Sequence, residues 1–264
     1  MTKKHNHYLD LAFHLAEKNL GRTKLNPTVG TVIVKNGSVI SSGVTSLQGR
    51  PHSEFNALNN LKNCRGATLY TTLEPCTHYG KTPPCTNIII KKKIKNVFYS
   101  FEDPDKRTFK KAKKILSQKG IKTKLIRSKK FSKFYKSYFT NKKLFIPYLT
   151  AKIAISKDYF TINKKEKWIT NKISRNKVHL LRSMHDCVLS TSKSINRDDS
   201  LLNCRINGLN NNKPDLFIID LKLNLRKKLS LKKYLQIRKT FLITNKNNIN
   251  KTLVYKKLGY KFIF

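Results

Sequence analysis

A histidine, a glutamate and two cysteines between positions 51 and 85 have the types and spacing of a catalytic metal site. His52, Cys76 and Cys85 offer one imidazole and two thiols, a three-ligand set for zinc that leaves a fourth position open for water. Zinc lowers the pKa of such a water toward about 7, so that hydroxide is available at neutral pH. Glu54, two residues after the histidine, can accept the proton of that water and pass it to a leaving group. These residues therefore predict hydrolysis by an activated water.

The pairing of His-x-Glu with a later Pro-Cys turn is typical of zinc deaminases, which hydrolyse an exocyclic amine from a nitrogen heterocycle. Taken singly, the histidine and the cysteines are ordinary surface and core residues, but their combination with Glu54 argues against that interpretation. A structural zinc site would need a fourth protein ligand, for which His78 is the nearby candidate. Cys85 follows Pro83-Pro84 at a predicted helix start, where the partial positive charge is expected to lower the pKa of its thiol.

Strands that alternate with helices surround these residues. Apolar residues at helical spacing predict a helix over 8–16, and Asn36-Gly37 between two apolar runs predicts a hairpin. A helix opens at His52, and a strand over 67–73 ends just before Cys76. The further predicted elements are a helix after Pro83-Pro84, a strand over 96–101, a helix over 106–118 and a strand over 121–126. This alternation predicts a three-layer α/β domain.

A domain boundary is predicted near residue 145. The stretch 129–143 combines lysines with aromatic residues, which can bind nucleic acid or form an amphipathic linker helix. We favour the linker, whose apolar face would carry Phe131, Phe134, Tyr135 and Tyr138. After Pro147 a second α/β pattern begins, with strands predicted over 148–155, 188–189, 216–219 and 241–244 and a helix over 171–183. The chain is therefore predicted to hold two domains, 1–145 and 146–264.

The charge of the chain is strongly positive, with 56 Lys and Arg against 14 Asp and Glu and a net charge of +42. This excess indicates either a polyanionic partner or a bias toward residues with A/T-rich codons. The second explanation is favoured, because the lysines are scattered and accompany many Asn, Ile, Phe and Tyr residues. We therefore expect no specific nucleic-acid partner.

The N-terminal residues and the cysteines indicate a cytoplasmic protein. Residues 1–5 are not followed by an apolar stretch, and no run of the sequence approaches the ~20 apolar residues of a membrane span. Of the five cysteines, Cys64, Cys187 and Cys204 lie outside the metal pattern. We expect them to be free thiols in a reducing compartment, with no membrane partner.

The run Leu73-Glu74-Pro75-Cys76-Thr77-His78-Tyr79-Gly80-Lys81-Thr82-Pro83-Pro84-Cys85 resembles the deaminase half of the bifunctional riboflavin-biosynthesis deaminase/reductase. Its loop between the cysteines is longer than the Cys-x-x-Cys of generic deaminases. Asn26-Pro27-Thr28-Val29-Gly30 and Asp103-Pro104 are further matches, and the resemblance covers roughly residues 5–145. It implies a cytidine-deaminase-like fold that removes the 2-amino group of 2,5-diamino-6-(5-phosphoribosylamino)pyrimidin-4-one.

Residue by residue, the resemblance implies the zinc ligands His52, Cys76 and Cys85, with Glu54 as the proton shuttle. It further implies pyrimidine contact by Asn26 and substrate contacts by His78 and Lys81, the lysine aimed at the phosphate. Two positions depart from the family pattern. Thr45 stands where a substrate-side histidine is usual, and Asp105-Lys106-Arg107-Thr108 replaces a Gly-rich turn.

The second half is similar to the reductase of the same family, which implies an incomplete dihydrofolate-reductase-like domain with NADPH as cofactor for reduction of the ribose to ribityl. The matching pieces are Lys152–Asp158, Lys167–Thr170, Leu181-Arg182, Arg197–Leu202 and Arg205. The resemblance implies that Trp168, Ser194 and Asp198 lie on the NADPH side. It implies that Arg182, Leu202 and Arg205 lie on the ribose-phosphate side.

The reductase pattern also has departures. Tyr159 stands where a glycine is normal, and Leu221 replaces a small polar residue. The sequence also stops before the late Glu-Gly-Gly-type turn whose backbone N–H groups hold phosphates. We therefore expect a truncated reductase half whose activity is weak or lost.

Alternative functions are a tRNA adenosine or nucleotide deaminase, and a basic nucleic-acid-binding protein with a retired deaminase fold. The long loop before Cys85 and the attached reductase-like half argue against the first alternative, and the intact metal set argues against the second. The second half is also compatible with a scaffold or dimer surface, and a homodimer or larger assembly is compatible with the pattern.

Overall fold

The computed structural model describes residues 2–161, 168–209 and 214–264, and its contacts divide the chain into two compact units, Met1–Ala151 and Lys152–Phe264. The first unit is built on a five-stranded sheet in the order β2-β1-β3-β4-β5. Strand β1 is antiparallel to β2 and β3, whereas β3, β4 and β5 are parallel. These strands are β1 (Gly30–Lys35), β2 (Ser38–Val44), β3 (Thr68–Leu73), β4 (Asn96–Phe101) and β5 (Lys122–Leu125).

Helices cover both faces of this sheet. They are α1 (Thr2–Glu17), α2 (Ser53–Leu58), α3 (Cys85–Lys91), α4 (Lys111–Ser117) and α5 (Lys136–Leu144). On one face, Leu58 of α2, Ile89 of α3 and Leu116 of α4 join Leu69 and Val97 of the strands in one buried cluster. On the other face, α1 packs its apolar stripe on Val32, Tyr70 and Phe98. The predicted three-layer α/β architecture is confirmed.

Two glycines allow helices to approach the antiparallel strands closely. A Cβ atom on Gly30 would lie 1.8 Å from the Ala12 carbonyl oxygen of α1. A Cβ atom on Gly43 would lie 2.3 Å from the carbonyl oxygen of Ser53, at the start of α2. The second contact matters for function, because α2 carries Glu54 in its first turn.

The segment predicted as a linker helix belongs to the core of the first unit. Phe131 stacks on Phe13 of α1 with 4.4 Å between ring centroids. Tyr135 is fully buried, donates to the carbonyl oxygen of Thr28 at 2.9 Å and lies 2.6 Å from the Thr72 hydroxyl. The predicted helix is therefore present only over its second half, as α5, and Phe131 and Tyr135 pack into the core from the turn that precedes it.

The predicted helix over 106–118 is shorter in the structure. Backbone N–H groups of Thr108 and Phe109 both donate to the carbonyl oxygen of Asp105, which closes a turn. Lys110 then adopts a left-handed conformation with φ 59°, so a regular helix can start only after it. The helix begins at Lys111.

The second unit contains a four-stranded parallel sheet in the order β6-β7-β8-β9. Its strands are β6 (Cys187–Thr191), β7 (Asp215–Ile219), β8 (Thr240–Ile243) and β9 (Lys261–Ile263), and its helices are α6 (Lys172–Ser183), α7 (Ser192–Asp198) and α8 (Thr252–Lys257). Buried Leu216, Ile218 and Leu242 on one face of the sheet pack against Ile195 and Tyr255 of α7 and α8. The predicted helix over 171–183 is confirmed as α6, which Asn171 caps at the Ser174 N–H with 2.9 Å.

The prediction of a strand over 148–155 is wrong. These residues form no strand in the structure, and Leu149 and Ile153 are 83% and 73% exposed. The alternating pattern is that of a strand, but a strand is stable only when a neighbour pairs with its backbone. Lys167, in one of the reductase-like motifs, lies outside the described residues.

Among the helices of the described ranges, none has the length and apolar character needed to cross a bilayer. The longest of those named above, α1, has 16 residues and includes several lysines and histidines.

Candidate active site

Three elements meet beyond the carboxyl end of β3. Cys76 follows that strand, Cys85 is the first residue of α3, and His52 directly precedes α2. The Nδ1 atom of His52 lies 3.6 Å from the Cys76 sulfur and 3.5 Å from the Cys85 sulfur. One donor atom from each residue lies within 4.8 Å of the others.

These distances fit zinc. With Zn–N near 2.0–2.1 Å and Zn–S near 2.3 Å, a tetrahedral ion separates its nitrogen and sulfur ligands by about 3.5 Å. The two measured separations agree with this value, although the site has only three protein ligands in the described residues. The donor set therefore fits a zinc ion with one open coordination position.

The two cysteines differ in acidity. The hydrogen bond from Cys85 and the neighbouring His52 lower the pKa of Cys76 to about 4, and the Cys85 N–H also donates to its sulfur at 3.2 Å. The hydrogen bond to Cys76, burial and the Glu54 carboxylate raise the pKa of Cys85. The predicted lowering at Cys85 by the helix start is therefore wrong, because the proximity of Cys76 and burial outweigh the helix.

Glu54 is buried beside the ligands, with 3% of its surface exposed. Burial raises the pKa of its carboxyl group, and the charge of His52 opposes the change. The Ser53 hydroxyl donates to Glu54 at 3.1 Å and lies 2.8 Å from the Thr31 hydroxyl. A second threonine, Thr71 of β3, accepts from Thr31 at 3.2 Å. The Ser53 hydroxyl thus orients the carboxylate, and the two strand threonines hold Ser53 in place. No motif of the sequence indicated this role.

A cavity of about 80 Å³ opens over His52, Glu54 and Cys76. Two predicted substrate contacts line it: Asn26, whose amide donates to the Gly49 carbonyl oxygen at 3.0 Å, and His78, whose Nδ1 lies 3.2 Å from the Thr108 hydroxyl. The third predicted contact, Lys81, is exposed on the same loop and does not line the cavity.

Several lining residues were not predicted as site residues. They include Arg50, Asp103, Asp105, Arg107, Tyr138 and Lys142. Arg107 binds Asp105 through both carboxylate oxygens, at 2.9 and 2.7 Å, and Lys142 lies 3.7 Å from the same carboxylate. Across the cavity, the Arg50 guanidinium donates to the Thr82 hydroxyl. Signals existed for Asp103, which follows β4 as Cys76 follows β3, and for Asp105 and Arg107, which lie where the family pattern has a Gly-rich turn.

In the second unit, the structure brings together the predicted ribose-phosphate residues. Arg182 donates to the Asn203 carbonyl oxygen at 3.3 Å, and Arg205 donates to the Asn203 side-chain oxygen at 2.9 Å. Burial and the charge of Arg205 lower the pKa of Arg182. Leu202 precedes Asn203 with a positive φ of 51°. Two arginines held on one asparagine suit an anionic ligand.

The predicted NADPH-side residues are not gathered in the same way. Ser194 and Asp198 lie on α7, where the Ser194 N–H donates to the Thr191 hydroxyl and Asp198 pairs with Arg197 at 2.8 Å. Trp168 instead lies under the Arg175 guanidinium, 4.6 Å from its ring centroid.

Comparison with known proteins agrees with both halves of this description. Residues 2–101 match the family model for the cytidine and deoxycytidylate deaminase zinc-binding region, and residues 147–257 match the RibD C-terminal domain. The riboflavin biosynthesis protein RibD of Actinobacillus pleuropneumoniae is 30% identical over 259 residues, which are 96% of this chain and 68% of that protein. The chain belongs to the RibD family.

Other RibD proteins extend the comparison. RibD of Aquifex aeolicus is 38% identical over 205 residues, which cover 75% of this chain and 57% of that protein. The chain thus spans little more than half the length of this relative. The structure of Acinetobacter baumannii RibD aligns with a TM-score of 0.86 at 28% identity, over 100% of this chain and 74% of that one.

A third structural match carries a more detailed description. A Thermotoga maritima protein, described as a diaminohydroxyphosphoribosylaminopyrimidine deaminase/5-amino-6-(5-phosphoribosylamino)uracil reductase, aligns with a TM-score of 0.84 at 28% identity, over 99% of this chain and 80% of that one. The RibD family confirms the cytidine-deaminase-like first unit and the reductase-like second unit. It does not favour the nucleic-acid alternatives.

Proposed function

We propose that the first unit is a zinc-dependent hydrolase that removes the 2-amino group of 2,5-diamino-6-(5-phosphoribosylamino)pyrimidin-4-one in riboflavin biosynthesis. The observation that carries the proposal is the set of three zinc-ligand atoms of His52, Cys76 and Cys85, placed beside the buried carboxylate of Glu54. The name of the Thermotoga maritima relative, 28% identical, supports the choice of substrate.

Glu54 is the proton carrier in this reaction. Zinc bound by His52, Cys76 and Cys85 would supply a water of lowered pKa in its fourth position. Glu54 accepts one proton as the water oxygen bonds to C2 of the pyrimidine, and returns it to the departing nitrogen. The C–N bond breaks, so that one water is consumed and one ammonia is released. The raised pKa of Glu54 brings its proton affinity closer to neutral pH, where such transfers are efficient.

Polar and cationic groups at the cavity suit a phosphorylated heterocycle. Asn26 and His78 offer hydrogen-bonding groups to the base. Arg50 lines the cavity, and Lys81 lies on the exposed loop nearby. Cations at these places favour a substrate that carries a phosphate dianion.

The test is ammonia release from the phosphoribosylaminopyrimidine by the zinc-loaded chain. We expect release by the unmodified protein and a loss of at least about 100-fold in Glu54→Gln, since a positioned acid–base group contributes that much. Glu102→Gln is the matched control, because Glu102 makes only a partly exposed ion pair with Arg127. Absence of ammonia with a fully zinc-loaded protein would remove the proposal.

For the second unit, we propose that the residues that bind the ribose phosphate are retained and that NADPH binding is weakened. Arg182 and Arg205 on Asn203 support the first statement. Leu221, which is 52% exposed where the family has a small polar residue, supports the second. Addition of NADPH to the assay after ammonia release tests this, since NADPH oxidation at the rate of deamination would contradict it.

We also propose a cytoplasmic protein without a specific nucleic-acid partner. All five cysteines are free, which suits a reducing compartment. Binding to mixed RNA that disappears at moderate salt would agree with a purely compositional charge of +42. Salt-resistant binding to one RNA would contradict it.

A further inference from the structure

Helix α5 supplies one wall of the cavity and fixes an aspartate there. The Tyr138 hydroxyl donates to Oδ1 of Asp103 at 3.0 Å, and the Asp105 N–H donates to the same oxygen at 3.0 Å. Asp103 is 7% exposed and lines the cavity together with Glu54. In the described part of the chain, the hydrogen bonds to this carboxylate thus reach Oδ1, which leaves Oδ2 as an acceptor.

The neighbouring cations are bound by a different carboxylate. Arg107 and Lys142 both pair with Asp105, at 2.7 and 3.7 Å. Within the described residues, the ion pairs of this region therefore involve Asp105, and Lys142 acts on Asp103 as a nearby charge rather than as an ion-pair partner. A buried carboxylate with a vacant acceptor oxygen gains from a hydrogen bond with a ligand N–H group.

We propose that Asp103, positioned by Tyr138, accepts a hydrogen bond from a second N–H group of the heterocycle. The cavity would thereby select pyrimidines that carry amino groups besides the one that leaves. This inference rests on the proposed function of the first unit. A ligand without the second donor would desolvate Asp103 and leave it unpaired, which is the strongest way for a site to reject an analogue.

Binding to the Glu54→Gln variant tests the inference, because the ligand is then not consumed. The two ligands are the diaminopyrimidinone phosphoribosyl substrate and cytidine 5′-monophosphate, whose only exocyclic amine is the one that would leave. Titration calorimetry would compare Glu54→Gln alone with versions that also carry Asp103→Asn, Tyr138→Phe or both. Tyr148→Phe is the control, since Tyr148 is 40% exposed and does not line the cavity.

We expect Asp103→Asn to weaken binding of the diaminopyrimidinone about 10- to 100-fold, the usual loss for a hydrogen bond to a charged group. Binding of cytidine monophosphate should be unchanged or tighter. Tyr138→Phe should weaken the first ligand about 3- to 10-fold, and this effect should vanish when Asp103→Asn is present. Such a double-mutant cycle would not be produced by a merely structural tyrosine.

Equal weakening of both ligands by Asp103→Asn would overturn the inference, as would an effect of Tyr138→Phe that persists beside Asp103→Asn. If Asp103→Asn does not fold, Tyr138→Phe decides alone, because that variant loses only a hydroxyl. It should weaken binding of the diaminopyrimidinone but not of cytidine monophosphate, and equal weakening of both ligands would overturn the inference. Failure of the proposed function is distinguishable, since in that case the unmodified chain would release no ammonia from the diaminopyrimidinone.

Discussion

The Glu74 carboxylate accepts the backbone N–H of Ala112 at 3.1 Å and so ties the end of β3 to the first turn of α4. The N–H groups of Asp103 and Lys110 donate to the same side chain, at 3.2 and 3.0 Å. One buried carboxylate therefore holds both ends of the segment 103–112. That segment contributes Asp103, Asp105 and Arg107 to the cavity wall. It follows β4, which pairs with β3, the strand that Cys76 follows.

Glu74→Gln should lower the stability of the first unit by about 1–3 kcal/mol. Both carboxylate oxygens accept N–H groups, so either orientation of the glutamine amide directs its NH₂ group at a donor. Urea denaturation measures the change, and ammonia release should show a raised KM. Glu102→Gln is the matched control, with an expected change below about 0.5 kcal/mol. Equal stabilities of the two variants would contradict the role of Glu74.

In the metal-free protein, iodoacetamide should alkylate Cys76 much faster than Cys85 at pH 6–7. Cys76 has a pKa lowered to about 4 by its hydrogen bond from Cys85 and by His52, so it is a thiolate throughout this range. Cys85 is 4% exposed and its pKa is raised. Mass spectrometry of peptides gives the two rates, and added zinc should protect both thiols. Faster labelling of Cys85 would contradict this prediction, because it would mean that Cys85 is the thiolate and Cys76 the protonated thiol.

Removal of zinc should lower the melting temperature of the first unit, because a ligand that binds only the folded chain stabilises it by mass action. At zinc concentrations of about 100 times its Kd the expected stabilisation is about 2.7 kcal/mol. Cys76→Ser should melt like the chelated protein and show no response to zinc. Cys187→Ser is the control, since Cys187 is an exposed residue of the second unit. If zinc still raises the melting temperature of Cys76→Ser, the metal binds at another site.

Burial of Glu54 should also make the metal-free protein less stable as pH rises. Its folded-state pKa lies above the ordinary value of 4.5, so between the two values the folded state binds more protons and stability falls with pH. Glu54→Gln should therefore be more stable than the unmodified metal-free chain at pH 7, and this gain should disappear below about pH 4. Thermal melts at pH 4 and pH 7 in chelator check the sign. A gain at pH 4 equal to that at pH 7 would be inconsistent with a titrating Glu54.

Tyr159→Gly should stabilise the second unit by about 0.5–1 kcal/mol. Tyr159 has a φ of 66° and is 81% exposed, so its side chain brings strain without much packing. Phe160→Gly is the control at the next position, where φ is not positive, and it should destabilise the unit. Denaturation curves recorded by the fluorescence of Trp168 give the stability of each variant. A loss of stability in Tyr159→Gly would mean that the tyrosine packs more than its exposure indicates.

Much of the metal site could be predicted from sequence, because its parts are local. His52 and Glu54 share one short motif, and the two cysteines directly follow a strand and open a helix. The wall formed by α5 could not be predicted, since Tyr138 and Lys142 have the same helical spacing whether the helix is a linker or packs on a core. The strand over 148–155 failed for the opposite reason: its pattern is local, but its stability depends on a partner strand that the described residues do not supply.

Helix α5 and the turn before it also bear on how the first unit can be expressed separately. The family model ends at residue 101, and a fragment cut after residue 130 would keep His52, Glu54 and both cysteine ligands. It would still lack Tyr138 and Lys142, and the Phe13 ring would lose its stacking partner Phe131. Such a fragment would hold zinc in a cavity open on one side, so an inactive short fragment would say nothing about the catalytic competence of the whole unit. The shortest informative fragment ends beyond Leu144.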